Sequence, residues 1–148
     1  MSDLDPGDVE YLKRVRGAAM ITLRADSTPH VVRVGVALVD GKLRSSGTQK
    51  RVRTRHLRRD PRSTLFVFDQ QFGYLAIESK VRILEGPDVP EQSVRLFQTM
   101  QAGMPHMERG TLMWYGRELT LDEFRQAMID EQRLIYEFEP IRTYGGHS

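Results

Sequence analysis

Between Lys50 and Arg62 the chain sets seven cations (Lys50, Arg51, Arg53, Arg55, Arg58, Arg59 and Arg62) against the single carboxylate of Asp60. Cations at that density predict an anionic partner, a solvated face, or both. The rest of the 148-residue chain carries fifteen basic and nineteen acidic residues, so a formal net charge of +2 conceals one strongly basic segment in an otherwise acidic molecule. On a helix turning about 100° per residue, Arg51, Arg55, Arg58 and Arg62 fall within about 60° of one another and form a solvated stripe, while Leu57 points inward. Lys50, Arg51 and Arg53 differ from that stripe because they fall in the first turn of the expected helix. A helix N-terminus already favours negative charge, so three cations there cost stability unless an anion neutralises them. The predicted ligand is a phosphate or carboxylate, with Ser45, Ser46, Gly47 and Thr48 upstream supplying hydroxyl and backbone N–H donors.

Other catalytic chemistry is sparse. The chain has no cysteine, which excludes disulfides, thiolate nucleophiles and Cys-ligated metals. His30, His56, His106 and His147 show no metal-ligand spacing. No nucleophile-elbow, P-loop or dinucleotide-binding glycine pattern occurs. His30, at the start of a strand, is either a ligand-facing donor or a structural polar residue, and His56 reads as a surface residue of the basic helix. Phe72, Tyr74, Trp114 and Tyr115 offer aromatic surface near turns, and Arg133 stands close to the acidic Glu131.

The elements that must position these residues are legible from periodicity and punctuation. A short helix is expected over Asp5 to Arg16. Strands follow over Ala18 to Ala25, His30 to Val39 and Lys42 to Ser46, with Asp40-Gly41 as a type I′ hairpin turn. The basic helix runs from a Thr48 cap to Asp60, ahead of Pro61. Strands come next over Ser63 to Phe68 and Tyr74 to Leu84, then a helix over Glu91 to Gln101. Ala102 to Glu118 has no clear period. Thr120 and Glu123 form a capping box for a helix through Asp130. A final strand carries Leu134, Tyr136 and Phe138, and Tyr144-Gly145-Gly146 reads as a loose tail. The expected fold is mainly β with α additions, a six-stranded antiparallel barrel, because the short connections leave no room for the helical crossovers of a parallel sheet. Nothing divides residues 1–148 into more than one domain, with 1–17 as an N-terminal helix and 87–118 as a variable helix and loop. No transmembrane run or secretory signal is present, which leaves a cytoplasmic expectation.

The stretch TLRADSTPHVVRVGVALVDGKLRSSGTQKRVRTRHLRRDPRSTLFVFD, with FGYLAIESKVRILEG and LDEFRQAMIDEQRLIYEFEPIRTYG further on, resembles the pyridoxamine 5′-phosphate oxidase-like split β-barrel superfamily. It is most similar to the actinobacterial branch of reductases that use the deazaflavin F420. The resemblance covers most of the chain except Pro87 to Glu118. It implies an FMN- or F420-binding split barrel that forms a homodimer with cofactor sites at the subunit interface. It also implies that Arg51 and Arg53 hold the cofactor phosphate with Ser46, and that His30 and Arg33 are the polar positions of the second strand. Phe72 and Tyr74 match the aromatic pair before the fifth strand, and Arg133 matches a late arginine. With Thr48 and Lys50 these make the candidate cofactor site; the chain departs from the pattern at Arg53, commonly lysine, and at Arg33, commonly a smaller polar residue.

The implied activity is transfer of a hydride from reduced F420 to an activated double bond of a small organic or tetrapyrrole-like molecule, with solvent, His30 or Tyr74 supplying the proton. Two other readings stand beside it. One is an FMN-dependent oxidoreductase of the same fold. The other, of a different class, is a basic nucleic-acid-binding or cofactor-storage module; against nucleic acid, the arginines are not interleaved with aromatics and the rest of the chain is acidic. The expected partners are a small-molecule substrate and a second copy of the chain, with neither nucleic acid nor membrane.

Overall fold

The computed structural model describes residues 4–148. Helix α1 (Pro6–Arg14) starts where the Asp5 carboxylate accepts the Asp8 N–H at 2.8 Å, and it buries Tyr11 and Leu12. Strands β1 (Gly17–Leu23) and β2 (Pro29–Gly35) form an antiparallel pair, followed by β3 (Ala37–Val39) and β4 (Lys42–Thr48). Asp40 and Gly41 take φ of 51° and 76°, the left-handed pair that a two-residue type I′ hairpin requires. Helix α2 (Val52–Arg59) leads into β5 (Arg62–Phe68) and β6 (Tyr74–Leu84), then α3 (Val89–Met100). A 3-10 turn (Pro105–Arg109), a small hairpin of β7 (Leu112–Trp114) and β8 (Arg117–Leu119), helix α4 (Leu121–Asp130) and strand β9 (Arg133–Gly146) complete the order.

The principal sheet is antiparallel, with strand order β2-β1-β5-β6-β9-β4-β3. Its two edge strands, β2 and β3, are consecutive in the chain and separated only by Val36, whose N–H leaves the ladder to donate to the Arg16 carbonyl at 2.7 Å. The segment expected as one strand over His30 to Val39 is therefore one strand bent at Val36, and the bend carries the sheet from one edge to the other. This is the split β-barrel expected from the sequence. The interior is filled by Met20, Val34, Val36, Leu43, Leu65, Val67, Ile77, Leu134, Tyr136 and Phe138, with Tyr11 and Leu12 from α1 and Leu57 from α2.

Three expectations require correction. Thr48 does not cap α2: it ends β4, and Arg51 is the N-cap residue, so Lys50 lies ahead of the helix and only Arg53 stands in its first turn. Tyr144-Gly145-Gly146 is no loose tail but the end of the 14-residue β9, paired with Tyr74, Leu75 and Ala76 of β6. A Cβ on Gly145 would stand 2.3 Å from the Tyr74 carbonyl oxygen, so glycine serves close strand approach here rather than a turn. His56 is buried, not a surface residue: its Nδ1 lies 2.9 Å from the Thr22 hydroxyl inside the barrel.

Candidate functional site

Strand alternation decides which side chains can meet. On β4, Leu43, Ser45 and Gly47 face the barrel interior, and Arg44, Ser46 and Thr48 face outward, paired across the ladder with Glu137, Ile135 and Arg133 of β9. Helix α3 covers this outer face, packing Leu96, Phe97 and Met100 against Ile135 and the β3 residues Ala37 and Val39. A cavity of about 220 Å³ remains beside it, lined by Arg33, Val34 and Gly35 of β2, Ser45 and Ser46 of β4, Arg53 of α2, Phe97 and Met100 of α3, and Arg133 of β9.

Two of these side chains carry unmet hydrogen-bonding capacity. The Ser46 hydroxyl and the Arg53 Nε are buried and have no partner among the described residues. Buried polar groups are nearly always satisfied, and each exception needs an explanation. Arg53 is half-buried, its guanidinium carbon 5.6 Å from the Tyr136 ring centroid. Burial and the neighbouring Arg51 and Arg133 depress its pKa, while Tyr136 opposes them; the group remains cationic, so its charge is held at a cost. Tyr136 is fixed from below by its hydroxyl contact with Thr54, whose own hydroxyl reaches the Thr48 carbonyl at 2.7 Å. Its ring passes so close to Gly47 that a Cβ there would stand 2.3 Å from it. Gly47 thus lets β4 lie against Tyr136, which supports Arg53.

The cations of the basic segment separate into two groups. Arg58 pairs with Glu85 at 2.9 Å and Arg62 with Asp60 at 2.7 Å, holding Glu85 and Asp60 at about 2, well below the usual carboxylate range. Lys50, Arg51, Arg53, Arg55 and Arg59 have no ion-pair partner among the described residues; Arg59, at the far end of α2, donates to the Leu23 carbonyl. Four of these five cations stand at the entry to α2, next to the cavity.

Of the ten residues singled out from sequence, Arg33, Ser46, Arg53 and Arg133 line the cavity, and Thr48, Lys50 and Arg51 flank it along the chain. His30 does not belong with them. It points to the inner face of β2, opposite to Arg33, where its ring meets His56 edge-on at 5.1 Å. Its Nδ1 is also unpartnered among the described residues, but inside the barrel. Phe72 and Tyr74 do not line the cavity either. Phe72 is 99% exposed at the tip of the β5–β6 turn, and Tyr74 stacks on Phe66 at 5.3 Å on the outer sheet face. Arg133 is buried and already ion-paired: Glu131 accepts from it at 2.8 Å. Phe97 and Met100, cavity walls that sequence reasoning did not select, sit on a helix whose apolar stripe gave no sign of facing a cavity.

No protein-family model matches the chain, and no curated protein matches it. Solved structures do. A protein described as an F420 reductase superposes with a TM-score of 0.69 at 20% identity, covering 95% of this chain and 98% of its own. A protein of Listeria innocua assigned as a pyridoxamine 5′-phosphate oxidase gives 0.65 at 12% identity over 96% of this chain and 97% of its own. The heme storage protein of Vibrio cholerae gives 0.65 at 11% identity over 97% and 95%. The chain therefore has the split β-barrel shared by pyridoxamine 5′-phosphate oxidase-like proteins. That fold serves a reductase and a storage protein alike, so function has to be argued from the site. Among the described residues no helix is long and apolar enough to cross a membrane.

Proposed function

We propose that the protein is an oxidoreductase that binds reduced F420 and passes a hydride to an activated double bond of a small conjugated molecule. The observation that carries this reading is the pair of orphaned donors, the Ser46 hydroxyl and the Arg53 Nε, buried in one cavity at the entry of a cationic helix. A phosphate oxygen would satisfy both donors and neutralise the buried guanidinium, which is the fit the cofactor phosphate demands. The unpaired Lys50, Arg51 and Arg55 continue the positive surface outward, which favours a ligand with further anionic groups, as in the F420 tail, over FMN.

When bound, the deazaflavin supplies the hydride, and the chain supplies placement. Arg53 and Ser46 fix the phosphate, Arg33 borders the cavity on its β2 side, and Phe97 and Met100 exclude water from one wall. Solvent delivers the proton, or a Tyr74 brought by a second copy of the chain, since His30 faces the barrel interior.

The cavity of about 220 Å³ lies below the 300–1,000 Å³ typical of small-molecule sites, so one chain does not enclose a tricyclic cofactor. The outer sheet face continuing from Arg33 exposes Val31, Phe66, Phe68, Tyr74 and Tyr144, and the rings of Phe66 and Phe68 lie 5.5 Å apart. A second copy on that face would cover these side chains and bring its Phe72 and Tyr74 towards the site. Fluorescence titration with F420 and FMN separately, alongside sedimentation equilibrium, tests both parts. The expected result is F420 binding tighter than FMN by at least tenfold, to a dimer. Binding of neither cofactor would remove the reading.

A further inference from the structure

The segment outside the resemblance to known reductases, Pro87 to Glu118, lines the cavity directly with Phe97 and Met100, and its β7–β8 hairpin reaches the cavity through Phe97 and Arg133. The β7–β8 hairpin places Trp114 so that the Arg133 guanidinium lies over its ring at 4.7 Å. The Glu131 carboxylate ties both together: one oxygen accepts from Arg133 at 2.8 and 2.9 Å, and the other accepts the Trp114 indole N–H at 2.9 Å. Arg133 also donates to the Tyr115 hydroxyl at 3.2 Å. The hairpin tip turns on Tyr115 and Gly116, with φ of 49° and 78°. A left-handed conformation is unfavourable for an aromatic residue and persists only where its surroundings enforce it. Its effect is to leave the Tyr115 ring 74% exposed beside Arg133, in edge contact with Trp114 at 4.9 Å, while Phe97 of the cavity wall meets Trp114 at 5.1 Å. Phe97, Trp114 and Tyr115 thus form a continuous aromatic edge from the cavity to solvent.

Charge along this edge is distributed unequally. Arg53, on the α2 side, is uncompensated, whereas Arg133 has its charge matched by Glu131 and its planar face covered by Trp114. An anionic group on the hairpin side would have to displace Glu131 and would then meet that carboxylate as a like charge. The geometry points to the Trp114–Tyr115 tip as the specificity wall of the substrate site, with Glu131 as the residue that restricts it to a planar conjugated ring bearing no anionic group at the Arg133 end. This deepens the cofactor reading and rests on it: the α2 side takes the cofactor phosphate, and the hairpin side takes the neutral ring of the second reactant.

Trp114 is the single tryptophan of the chain, so its indole N–H gives one resonance that reports directly on the Glu131 contact. The test is titration of the F420-loaded protein with 1,4-naphthoquinone and with its 2-sulfonate, followed at that indole cross-peak. The oxidised form of the cofactor is used, so no electron transfer intervenes. The expected result is that the neutral quinone shifts the peak with at least tenfold higher affinity than the sulfonate. Glu131→Gln, which keeps an acceptor but removes the charge, should narrow or reverse that preference by about tenfold. Tyr115→Ala, at an exposed position that does not threaten folding, should weaken the neutral quinone about fivefold and leave F420 affinity unchanged. Equal binding of both probes to the wild type, or an unmoved indole peak with either, overturns the proposal. Failure of F420 to bind overturns the cofactor reading instead, and the quinone pair titrated onto the cofactor-free protein then still decides the role of Glu131.

Discussion

Arg44 and Ser46 lie two residues apart on one face of β4, yet the polar groups around them are handled in opposite ways. At Arg44 the buried Glu137 accepts from two arginines, Arg44 at 2.8 Å and Arg82 at 3.0 Å, so a charge inside the sheet is matched on both oxygens. At Ser46 the hydroxyl and the neighbouring Arg53 Nε are left unmatched. Both arrangements remove polar groups from water and incur the desolvation cost. Only the first recovers that cost within the chain. On the proposed reading, the contrast separates a structural charge cluster from the place where a ligand binds.

Mutations at the two places should therefore act on different observables. Glu137→Ala leaves the nearly buried Arg44 without a counter-charge and should lower unfolding free energy by about 3 kcal/mol, read by urea denaturation, with F420 affinity within twofold of wild type. Arg53→Met should do the reverse. It removes a charge-assisted hydrogen bond to the ligand, about 2 kcal/mol or roughly thirtyfold in affinity by fluorescence titration, while thermal stability holds or rises because an uncompensated buried cation is gone. A loss of stability at Arg53 comparable with that at Glu137 would dissolve the distinction. Ser46→Ala is the milder form of the same test: about fivefold in affinity, near 1 kcal/mol, with no fall in melting temperature.

The smallest effect concerns pH. Burial, reinforced by His30, Arg59, Arg24 and Arg55, holds the His56 pKa below its ordinary 6.5. The unfolded chain then takes up a proton near pH 6.5 that the folded chain resists, so stability is full above that pH and declines as pH falls through it. The depressed carboxylates of Glu85 and Glu118 begin to contribute only below about 4.5, which leaves the interval between 5 and 6.5 to the histidine. Melting temperatures measured from pH 7.5 to 5.5 should decline in the wild type and flatten in His56→Gln.

The strands and the Asp40-Gly41 hairpin were legible because period-two hydrophobicity and positive-φ residues act locally. So was the concentration of positive charge around Arg51 and Arg53, which composition alone shows. What could not be read was facing. His30 and Arg33 look like partners in sequence, but a separation of three puts them on opposite sides of a strand. Equally, nothing in Arg58 or Arg62 foretells that Glu85 and Asp60 neutralise them and leave Arg53 exposed to a ligand. The stretch from Ala102 to Glu118 has no legible period because strands of three residues are too short to show one, and its order comes from tertiary contacts: Leu112 packed with Phe124 and Met128, Gln101 bonded to His106 and Met113, and Trp114 with Glu131 and Arg133. Tyr144-Gly145-Gly146 misled for the opposite reason: the same glycines that permit turns also permit two strands to lie unusually close.

The position of β9 bears on how the molecule is made. It is the last strand in the chain but an inner strand of the sheet, zipped to β6 on one side and β4 on the other. Any chain growing from its N-terminus must hold β4 and β6 with open edges until residues beyond Arg133 emerge. Pairings such as Leu43 with Phe138 span so much of the chain that they form slowly compared with the local hairpins. Arg133, at the start of that strand, joins the cavity only when the sheet closes. Assembly of the cavity and completion of the barrel are thus one event, and a half-made chain carries two sticky edges and an unfinished cavity.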